Sequence, residues 1–589
     1  MPDHPFATLD RSHVQALLEA MPEMNAFMSN EEASVFSAAT PDLLSFFRGW
    51  SEKRSSLSLE EVPLLERALE ETQTKALDLW VAFLEVLKKY DLQSRDPDVL
   101  TDRLLFIDAQ TTDPTHDRER RLATSASLLS SLGPALAAFQ KNLDPEKLDP
   151  ALLRRALQMM PLYDDILSAL CEDADEHHEV NQKSPAAKDL VAAARDADIS
   201  LQKHAAFLEE LSEQIVAASA FGSPDKAVTR RDARHNAIGE EAYAELLKAR
   251  SLPDLAALGM SLRCGIHDLR IEEIRLRRRC FAGKTVAEIK QTPLSENPRN
   301  MDEALAWAEE LVDLSHTFAL ESQLFPMSSN EQILVGTGFP NQGLVQSIAL
   351  LRLPRKDAQT QVSRLLLTPG TKQSSEPELA HLHLATLEAL ATRALSPGAH
   401  LFAMWANSAE GVLQNGNLGG LSVLQKLYGQ ESQLGWDLHI EELMRELQFR
   451  DSPAIRLVVL HHTLAAAVHA RVDLQLHTEG ISTSNAMHQL MTTGRLSFQE
   501  ARNRVWSSLR APTGGLSAFV GRNIIHDLRR RARVIWRHEF SERRMNEFLL
   551  FHGRLPLSLL KPLIEAPTPF AGDEHTAKYD LNELPNTAL

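Results

Sequence analysis

Apolar residues recur at three- and four-residue steps along almost the whole chain, and this spacing limits the fold more than any other feature. Side chains at such steps share one face of an α-helix. The clearest stretches are Leu65–Leu87, Leu128–Phe139, Leu152–Leu170 and Leu190–Val216. Prolines punctuate them, and Pro161 is expected to interrupt the third. Only Gln332–Val335 and Val362–Leu367 have a strand-like pattern, so we expect an all-α fold with at most one small sheet.

Charge and composition indicate a globular protein and argue against a disordered, fibrous or nucleic-acid-binding one. The 589 residues are 43% apolar and 24% charged, which is ordinary globular usage and argues against a disordered or fibrous chain. Lysines and arginines number 62 against 80 aspartates and glutamates, which gives a net charge of −18. A chain this acidic lacks the broad positive field of nonspecific nucleic-acid binding, so we expect no nucleic-acid partner.

Cysteine usage and apolar stretches predict a cytoplasmic protein. Cys171, Cys264 and Cys280 form no CxxC pair, and their odd number fits neither a disulfide framework nor a cysteine zinc site. The first residues lack the basic and apolar regions of a secretory signal. The most apolar helical stretch, Ile455–Val468, is shorter than the about 20 residues that span a bilayer. We therefore expect a reducing, cytoplasmic location and no membrane partner.

Linker-like composition divides the chain near residue 225. The segment FGSPDKAVTRRDA at 221–233 carries glycine, proline and charged residues with little apolar periodicity. The last residues, from about 566, hold three prolines and are expected to form a flexible tail. We predict an N-terminal helical lobe at 1–225, a C-terminal helical lobe at 226–565 and a tail at 566–589.

Runs of like charge are interpreted as solvated surface. Arg275–Arg279 and Arg529–Arg537 lie on helical segments with acidic residues nearby, as on a salt-bridged face. The run DADEHHE at 173–179 is expected to be an exposed loop rather than a metal site, because nothing in it fixes a coordination geometry. The sequence contains no Walker loop, GxGxxG, GxSxG or HExxH motif, each of which would have indicated a specific chemistry.

Four polar residues form a stripe on one very apolar helix. His462, His469, Asp473 and His477 are spaced by seven, four and four residues, which places them within about 80° of one another around a helix. Because Leu457–Val468 is otherwise mostly apolar, the stripe faces either water or an internal polar site. Both interpretations stay open, since this spacing suits a metal, a hydrogen-bonded pocket or a plain amphipathic helix.

Several short motifs follow one another in a characteristic order. They are Leu122–Leu167, IGEEAYAELL at 238–247, DLQLHTEG at 473–480 and ARNRVWSSLRAPTGGLSAFVG at 501–521. In this order they resemble the bacterial domain-of-unknown-function family 885, whose fold is similar to the helical zinc metallopeptidases. The resemblance covers about residues 55 to 540. It implies a two-lobed helical architecture around a central cleft.

The metal motif of the resembling family is altered in this chain. The family reads His-Glu-x-x-Pro-Gly-His-His, and this chain reads RALSPGAH at 393–400. Pro397, Gly398 and His400 match the family motif. Arg393 and Ala394 stand where the family has its leading His-Glu pair, and Ala399 replaces the first of the paired histidines.

Two later motifs of the family are also partly preserved. Its Glu-Gly-Trp, thought to add a carboxylate ligand, reads LGW here, so that Leu434 replaces the acidic residue. A Tyr-x-x-Gly motif has Ala518 in the tyrosine position. The matching residues are Gly435, Trp436, Glu441 and Gly521.

The replacements imply a site that no longer holds zinc. A catalytic zinc ion needs about three protein ligands, and His400 alone remains of the first motif. Arg393 places a permanent cation near the expected ion, and Ala394 cannot act as the general base. We therefore predict no metal and no cofactor.

The leading hypothesis is a metallopeptidase-like protein that has lost its zinc site. It would bind a peptide-like small molecule or a protein partner in the retained cleft, without metal-dependent hydrolysis. The residues expected to line that cleft are Pro397, Gly398, Trp436 and Gly521.

Three other functions stay open. One is a metal-free enzyme with remodelled chemistry, as in a biosynthetic pathway, whose arginine holds a substrate carboxylate and whose histidine–aspartate pair moves protons. Its candidate catalytic residues are Arg393, His400, Glu441, His469, Asp473 and His477. Another is a zinc peptidase in which His439, Glu442 or His469 supplies substitute ligands. A purely scaffolding role is the last.

Overall fold

The described part of the protein is overwhelmingly helical. The computed structural model describes residues 9, 12, 41–62, 64–92, 95–97, 104, 118–143, 148–175, 184–220, 237–284, 294–327, 331–339, 341–344, 348–352, 361–369, 379–405, 430–552 and 555–566. Helices dominate these ranges, and one small sheet accompanies them. The predicted all-α fold with a minor sheet is confirmed.

Before residue 221, the described ranges contain five long helices, and each of the four periodic stretches lies within one of them. They are α1 (Pro41–Ser55), α2 (Leu64–Lys89), α3 (Arg118–Asn142), α4 (Pro150–Asp175) and α5 (Pro185–Ala220). Helices α3, α4 and α5 pack around one core that contains the buried Leu129, Tyr163 and Leu190. The three- and four-residue spacing therefore predicted both the helices and the faces that they bury.

Pro161 does not interrupt α4, so that prediction was wrong. The helix runs through it from Pro150 to Asp175. Proline inside a helix lacks one backbone donor, at a cost of about 3 kcal/mol. Its neighbours Leu162 and Tyr163 are fully buried in the core, and this packing outweighs the lost hydrogen bond.

The second half of the chain builds the larger helical assembly. Its helices are α6 (Glu240–Ala249), α7 (Leu255–Cys280), α8 (Met301–Ser322), α9 (Leu384–Ala394), α10 (Gln430–Glu446), α11 (Pro453–Thr478), α12 (Thr483–Thr492), α13 (Phe498–Arg510), α14 (Ser517–Trp536), α15 (Glu542–Phe551) and α16 (Lys561–Glu565). Helix α11 is central, because it contacts α7, α9, α10, α12, α13 and α14. Its first turn is fixed by Ser452, whose hydroxyl accepts from the Ile455 amide, and by Pro453.

A three-stranded sheet lies beside α8. Strands β1 (Glu331–Thr337), β2 (Ala349–Arg352) and β3 (Gln361–Leu367) are ordered β1-β3-β2. β1 pairs with β3 in parallel and β2 with β3 antiparallel. Both predicted strands lie within β1 and β3, whereas the four-residue β2 carried too short a pattern to be predicted.

The two predicted lobes share a core. Ala151 and Leu152 of α4 belong to the same buried cluster as Tyr243 of α6 and Leu464 of α11. The predicted boundary at 225 lies outside the described residues, and so do residues 567–589 of the predicted tail.

One described helix is long and apolar enough to cross a bilayer, by length and composition alone. It is the stretch Arg121–Lys141 within α3, with a mean hydropathy of 1.4 and 33% of it buried. Core helices of soluble proteins pass the same test. The buried face of this helix contributes Leu122, Leu129 and Leu136 to the core of α3, α4 and α5.

Candidate functional site

The turn after α9 brings three of the predicted cleft residues together. The indole Nε1 of Trp436 donates to the carbonyl oxygens of Pro397 and Gly398 at 3.1 and 3.3 Å. A side chain at Gly398 would place its Cβ 1.8 Å from the Arg393 carbonyl oxygen. Only glycine fits this turn, and the indole holds it against α10.

Gly435 and Gly521 let α10 and α14 cross in backbone contact. A Cβ on Gly435 would lie 2.5 Å from the Gly521 carbonyl carbon, and one on Gly521 would lie 2.0 Å from the Glu431 carbonyl oxygen. Real Cβ atoms do not approach other atoms this closely. Gly521, which matches the glycine of the Tyr-x-x-Gly motif, therefore lies where α14 crosses α10. This crossing positions α10 and its residues Trp436 and Glu441.

His400 is fully buried and faces the sheet. Its Nδ1 lies 2.6 Å from the Ser363 hydroxyl oxygen on β3. This bond joins the segment after the turn to the central strand. Ala394 and Ala399, the altered neighbours in the motif, are also buried and offer no donor atom.

A carboxylate, an arginine and a histidine meet where α9, α10 and α11 pack together. Glu441 of α10 is completely buried, and its Oε1 lies 2.8 Å from His462 Nδ1 on α11. The Nε of Arg393, on α9, lies 3.7 Å from the same oxygen. The second carboxylate oxygen, Oε2, is buried and has no hydrogen-bond partner in the described ranges.

Two further charged residues extend this group. Glu388 of α9 is buried and accepts from Arg450 Nε at 2.6 Å. Arg445 of α10 is buried too, and its Nε and Nη2 have no hydrogen-bond partner. Burial lowers the pKa of this guanidinium, whereas the charges of Glu388 and Glu441 act to raise it. The residues Glu388, Arg393, Glu441, Arg445 and His462 are referred to below as the polar cluster.

In the described part of the chain, two members of the polar cluster have polar atoms without partners and partial access to solvent, namely a ring nitrogen of His462 and the guanidinium of Arg393. His462 is 17% exposed and Arg393 26% exposed at the side chain. Among the described residues, His462 Nε2 has no hydrogen-bond partner, and the Arg393 guanidinium has only the loose contact with Glu441. Both side chains are thus placed to contact a molecule that reaches the cluster.

The lower part of the predicted stripe belongs to a second polar network. Asp473 is fully buried and accepts from the Tyr243 hydroxyl at 2.6 Å, the Thr513 amide at 3.0 Å and the Gly515 amide at 3.1 Å. Burial, followed by the Asp473 charge, raises the pKa of Tyr243 well above its usual value. This carboxylate joins α11 to α6 and to the turn before α14.

The two histidines beside Asp473 bind to α13. His469 Nε2 lies 3.0 Å from the Ser508 hydroxyl and 3.1 Å from the Arg504 carbonyl oxygen. His477 Nε2 donates to the Ser508 carbonyl oxygen at 2.9 Å, and its ring stacks on Tyr243. Burial, with the nearby Arg504 charge, lowers the pKa of His469 to about 3, so that its ring is neutral near pH 7.

The stripe therefore divides between two networks. His462 contacts the polar cluster, whereas His469, Asp473 and His477 contact α6, α13 and the turn before α14. All three of the latter are buried, so they do not form a water-facing surface. That they line one cleft with His400 and Trp436 stays a prediction.

Two of the suggested substitute ligands, Glu442 and His469, are hydrogen-bonded to other residues, whereas the third, His439, has a buried Nε2 without a partner among the described residues. His439 is buried beside His526, and burial lowers its pKa to about 3. Burial opposes ionisation of Glu442, but hydrogen bonds from His526 and Arg522 outweigh it and lower its pKa to about 2. Glu442 is therefore an ionised carboxylate that is contacted by Thr463, Arg522 and His526.

The donor set of the described residues does not fit zinc. No group of three or more histidine, cysteine, aspartate or glutamate side chains in this part of the chain is arranged to hold a metal ion. Arg393 occupies the position of the first expected ligand, and the partly exposed Leu434 that of the acidic one. Residues 173–175 of the acidic run form the end of α4, so the predicted loop was wrong there, and residues 176–179 lie outside the described ranges.

Sequence reasoning singled out Arg393, Glu441 and His462 but not Glu388 or Arg445. His462 was grouped with the stripe because of its spacing, although its hydrogen-bond partner, Glu441, belongs to α10. Glu388 and Arg445 carried no motif. Both residues lie among buried neighbours, Glu388 on α9 and Arg445 on α10. A charged residue at a helix position that is normally apolar is the one sequence feature that could have indicated them.

Comparisons with known proteins identify the family and the fold. Residues 62–564 match the family described as "Bacterial protein of unknown function (DUF885)". A "putative lipoprotein of unknown function" from Shewanella oneidensis has a similar structure, with a TM-score of 0.68 and 14% identity over 95% of this chain and 100% of that one. A "putative lipoprotein" from Colwellia psychrerythraea is also similar in structure, with a TM-score of 0.64 and 13% sequence identity over 95% of this chain and 98% of that one. At these identities the likeness concerns the fold alone. No curated protein matches the sequence.

Proposed function

The chain belongs to the bacterial family of unknown function DUF885, and from this premise we propose that it binds a peptide-like small molecule at the polar cluster. In this proposal the metallopeptidase-like zinc site is lost, and binding occurs without metal-dependent hydrolysis. A protein partner that inserts a peptide terminus is the macromolecular form of the same ligand chemistry.

The observation that carries the proposal is the incomplete hydrogen bonding of Glu441. Its carboxylate is fully buried, yet within the described part of the chain only Oε1 has partners. A buried, unsatisfied charged oxygen costs about 1–3 kcal/mol or more. An amine or amide N–H that reaches Oε2 would recover that free energy, so the site favours a ligand with such a donor.

The arginines define the other half of the ligand. Arg393 has unused donors and partial exposure, and a guanidinium binds a carboxylate through two parallel hydrogen bonds. Arg445 adds two buried N–H groups without partners. A molecule with an amine or amide donor at one end and a carboxylate at the other satisfies both halves. Short peptides and amino-acid conjugates have this chemistry.

In this proposal the protein lacks the general base and the metal ion that a zinc peptidase uses to hydrolyse a bound peptide. Ala394 has replaced the expected general base, and Arg393 repels a cation at the first ligand position. The side chains that remain, a carboxylate, a histidine and arginines, are ones that recognise polar groups of a ligand.

A metal-free enzyme remains the second candidate, and His462 favours it. Its Nδ1 is held by Glu441, which leaves Nε2 without a partner among the described residues. A histidine that is oriented by a carboxylate and has one free nitrogen has the arrangement of a general base. In this alternative Arg393 would hold the substrate carboxylate, and His462 would act in place of His469 and His477.

Replacing Arg393 should weaken the binding of ligands with a free carboxylate. Arg393→Gln removes the charge but keeps polar atoms. We expect Kd to rise about tenfold to hundredfold, because the charge-assisted hydrogen bonds to the ligand carboxylate are lost. The measurement is calorimetric titration with unblocked dipeptides, preceded by a thermal-shift screen. The same dipeptides with amidated carboxyl ends should bind the natural protein about as weakly as the free ones bind the variant.

Arg530→Gln is the matched control for Arg393→Gln. Arg530 is exposed on α14 and is paired with Asp527, so its loss should leave Kd unchanged. Equal binding of free and blocked dipeptides by the natural protein, or an unchanged Kd in Arg393→Gln, would exclude the polar cluster as the carboxylate site.

The cytoplasmic location and the absence of nucleic-acid partners stay predictions. The two similar structures are described as lipoproteins, and such a location would place the polar cluster outside the cytoplasm. The proposed ligand chemistry is the same in either compartment.

A further inference from the structure

Helix α7 has two faces of opposite character. One face packs on the core through Leu258, Leu262, Ile266 and Leu276. At Gly265 it meets the Phe519 ring so closely that a Cβ there would lie 2.7 Å from the ring. This contact fixes the rotation of α7, and with it the residues that point away from the protein.

A regular line of exposed residues runs along the opposite face. It consists of Met260, Cys264, His267, Ile271, Ile274 and Arg278, at alternating steps of four and three residues. At 100° per residue this line is about 160° away from the buried one. Met260 is 56% exposed, Ile274 52% and Ile271 38%. Three large apolar side chains thus point outward from one helix.

Arginines without acidic partners flank this line. Arg275 and Arg277 pair with Glu272 and Glu273 of the same helix. The other four arginines of this helix are exposed, and they form no ion pair with any described residue. These are Arg263, Arg270, Arg278 and Arg279.

The second arginine run differs from the first in this respect. On α14, Arg530, Arg531 and Arg533 pair with Asp527, Glu565 and Glu542. The expected salt-bridged face therefore describes α14 but not the outer face of α7. The four flanking arginines of α7 have no acidic partner in the described part of a chain whose net charge is −18, and such a local positive charge favours an anionic partner.

We propose that the outer face of α7 binds the surface of membranes that contain anionic lipids. The helix would lie in the plane of the interface, with Met260, Ile271 and Ile274 among the acyl chains and the arginines at the phosphates. Interfacial helices combine an apolar line with flanking basic residues in this way. Arginine side chains reach from the apolar boundary to the headgroups without losing hydration.

A membrane surface fits this face better than a partner helix does. The four-three spacing resembles a coiled-coil seam, but a seam would bury His267 and Arg278 between two helices. Burying an unpaired guanidinium is costly. At a bilayer interface the same side chains stay in contact with water and phosphate.

This peripheral contact differs from the membrane span that the sequence argues against. The expectation of no membrane partner rested on the lack of a spanning stretch, whereas α7 would lie on the surface and cross nothing. The proposal is also independent of the polar cluster, because it concerns a separate helix face.

Vesicle sedimentation tests the proposal with the full chain. The natural protein should bind vesicles that contain phosphatidylglycerol at least about tenfold more tightly than pure phosphatidylcholine vesicles, and less tightly at high salt. The triple variant Arg263→Gln, Arg270→Gln, Arg278→Gln should lose about a hundredfold in affinity for the anionic vesicles. The matched control is the triple change to Gln of the ion-paired Arg530, Arg531 and Arg533, which should bind like the natural protein.

A natural cysteine gives a second, site-specific readout. Cys264 is exposed on the line itself, whereas Cys171 and Cys280 are partly buried. With those two replaced by serine, an environment-sensitive dye on Cys264 should shift to shorter wavelength with anionic vesicles. Ile271→Ser and Ile274→Ser together should abolish that shift, and both sites are exposed, so folding is preserved.

Several outcomes would overturn the proposal. They are no preference for anionic vesicles, equal losses in the α7 and α14 triple variants, or vesicle binding without a dye shift at Cys264. A dye shift with an acidic helical peptide but not with vesicles would assign the face to a protein partner instead.

Discussion

Lowering the pH from 7 to 5 is expected to remove about 6 kcal/mol from the free energy of unfolding, through three buried histidines. The pKa values of His439, His469 and His552 are lowered from 6.5 to about 3. Burial is the main cause in each case. Each ring is therefore neutral in the folded protein and takes up a proton on unfolding below pH 6.5.

The sign follows from proton binding. A lowered folded pKa means that the unfolded chain binds more protons, so stability is present above about pH 6.5 and falls as the pH decreases toward the folded pKa. At pH 5 each histidine contributes a loss of about 2 kcal/mol. Urea unfolding at several pH values, followed by tryptophan fluorescence, measures the slope.

Two variants separate the contribution of one histidine. His552 packs against the Phe548 and Phe551 rings, and its Nδ1 has no hydrogen-bond partner. His552→Leu should reduce the loss between pH 7 and 5 by about 2 kcal/mol. His267→Ala, at an exposed position, should leave it unchanged. A stability that is flat between pH 7 and 5 would contradict the assignment of neutral buried histidines.

Gly435→Ala is expected to destabilise the protein by about 3 kcal/mol or more, because it separates α10 from α14. Its Cβ would meet backbone atoms of Gly521 and Arg522 at 2.5–2.8 Å. Backbone cannot swing away as a flexible side chain can, so the two helices must move apart. That movement also shifts Trp436 and Glu441 on α10.

The measurement is the urea midpoint of the variant beside that of Gly259→Ala. Gly259 lies inside α7, and a Cβ there meets nothing within 4 Å. Alanine at this helical position should raise stability by about 1 kcal/mol. If both alanines have the same effect, the close crossing of α10 and α14 is not a structural requirement.

Much of the fold could be predicted because helical periodicity is a local signal. Each long N-terminal helix buries the residues that recur at three- and four-residue steps, as Leu129 and Leu190 show. Pro161 could not be interpreted from its neighbours alone, since the packing that tolerates it comes from α3 and α5. The short strand β2 depends likewise on its pairing with β3 rather than on its own pattern.

The candidate site was predictable only in part, because its members come from three helices. The motif around Pro397 and Gly398 lies against Trp436 through two hydrogen bonds, whereas its assignment as a cleft stays a prediction. Spacing on α11 grouped His462 with His469, although one contacts α10 and the other α13. A helix surface carries several polar residues in line, and the neighbouring helices decide which of them share a site.

Arg393 is the residue on which the account of the site depends. A histidine there could supply a metal ligand, whereas a guanidinium is always charged and donates hydrogen bonds only. It lies 3.7 Å from Glu441 Oε1, and in the proposed function its remaining donors hold the carboxylate of a ligand. Glu441 Oε2, which has no partner among the described residues, favours a ligand that donates a hydrogen bond in the same site.

Elemental analysis of untagged, purified protein tests the central claim most directly, namely that this site has exchanged zinc for a polar ligand. The polar cluster and the motif at 393–400 offer no set of ligands in the described residues. We therefore expect well under one zinc ion per chain after dialysis, and no peptidase activity that a chelator removes. One zinc ion per chain, together with peptide hydrolysis that is lost on chelation and restored by zinc, would contradict the account.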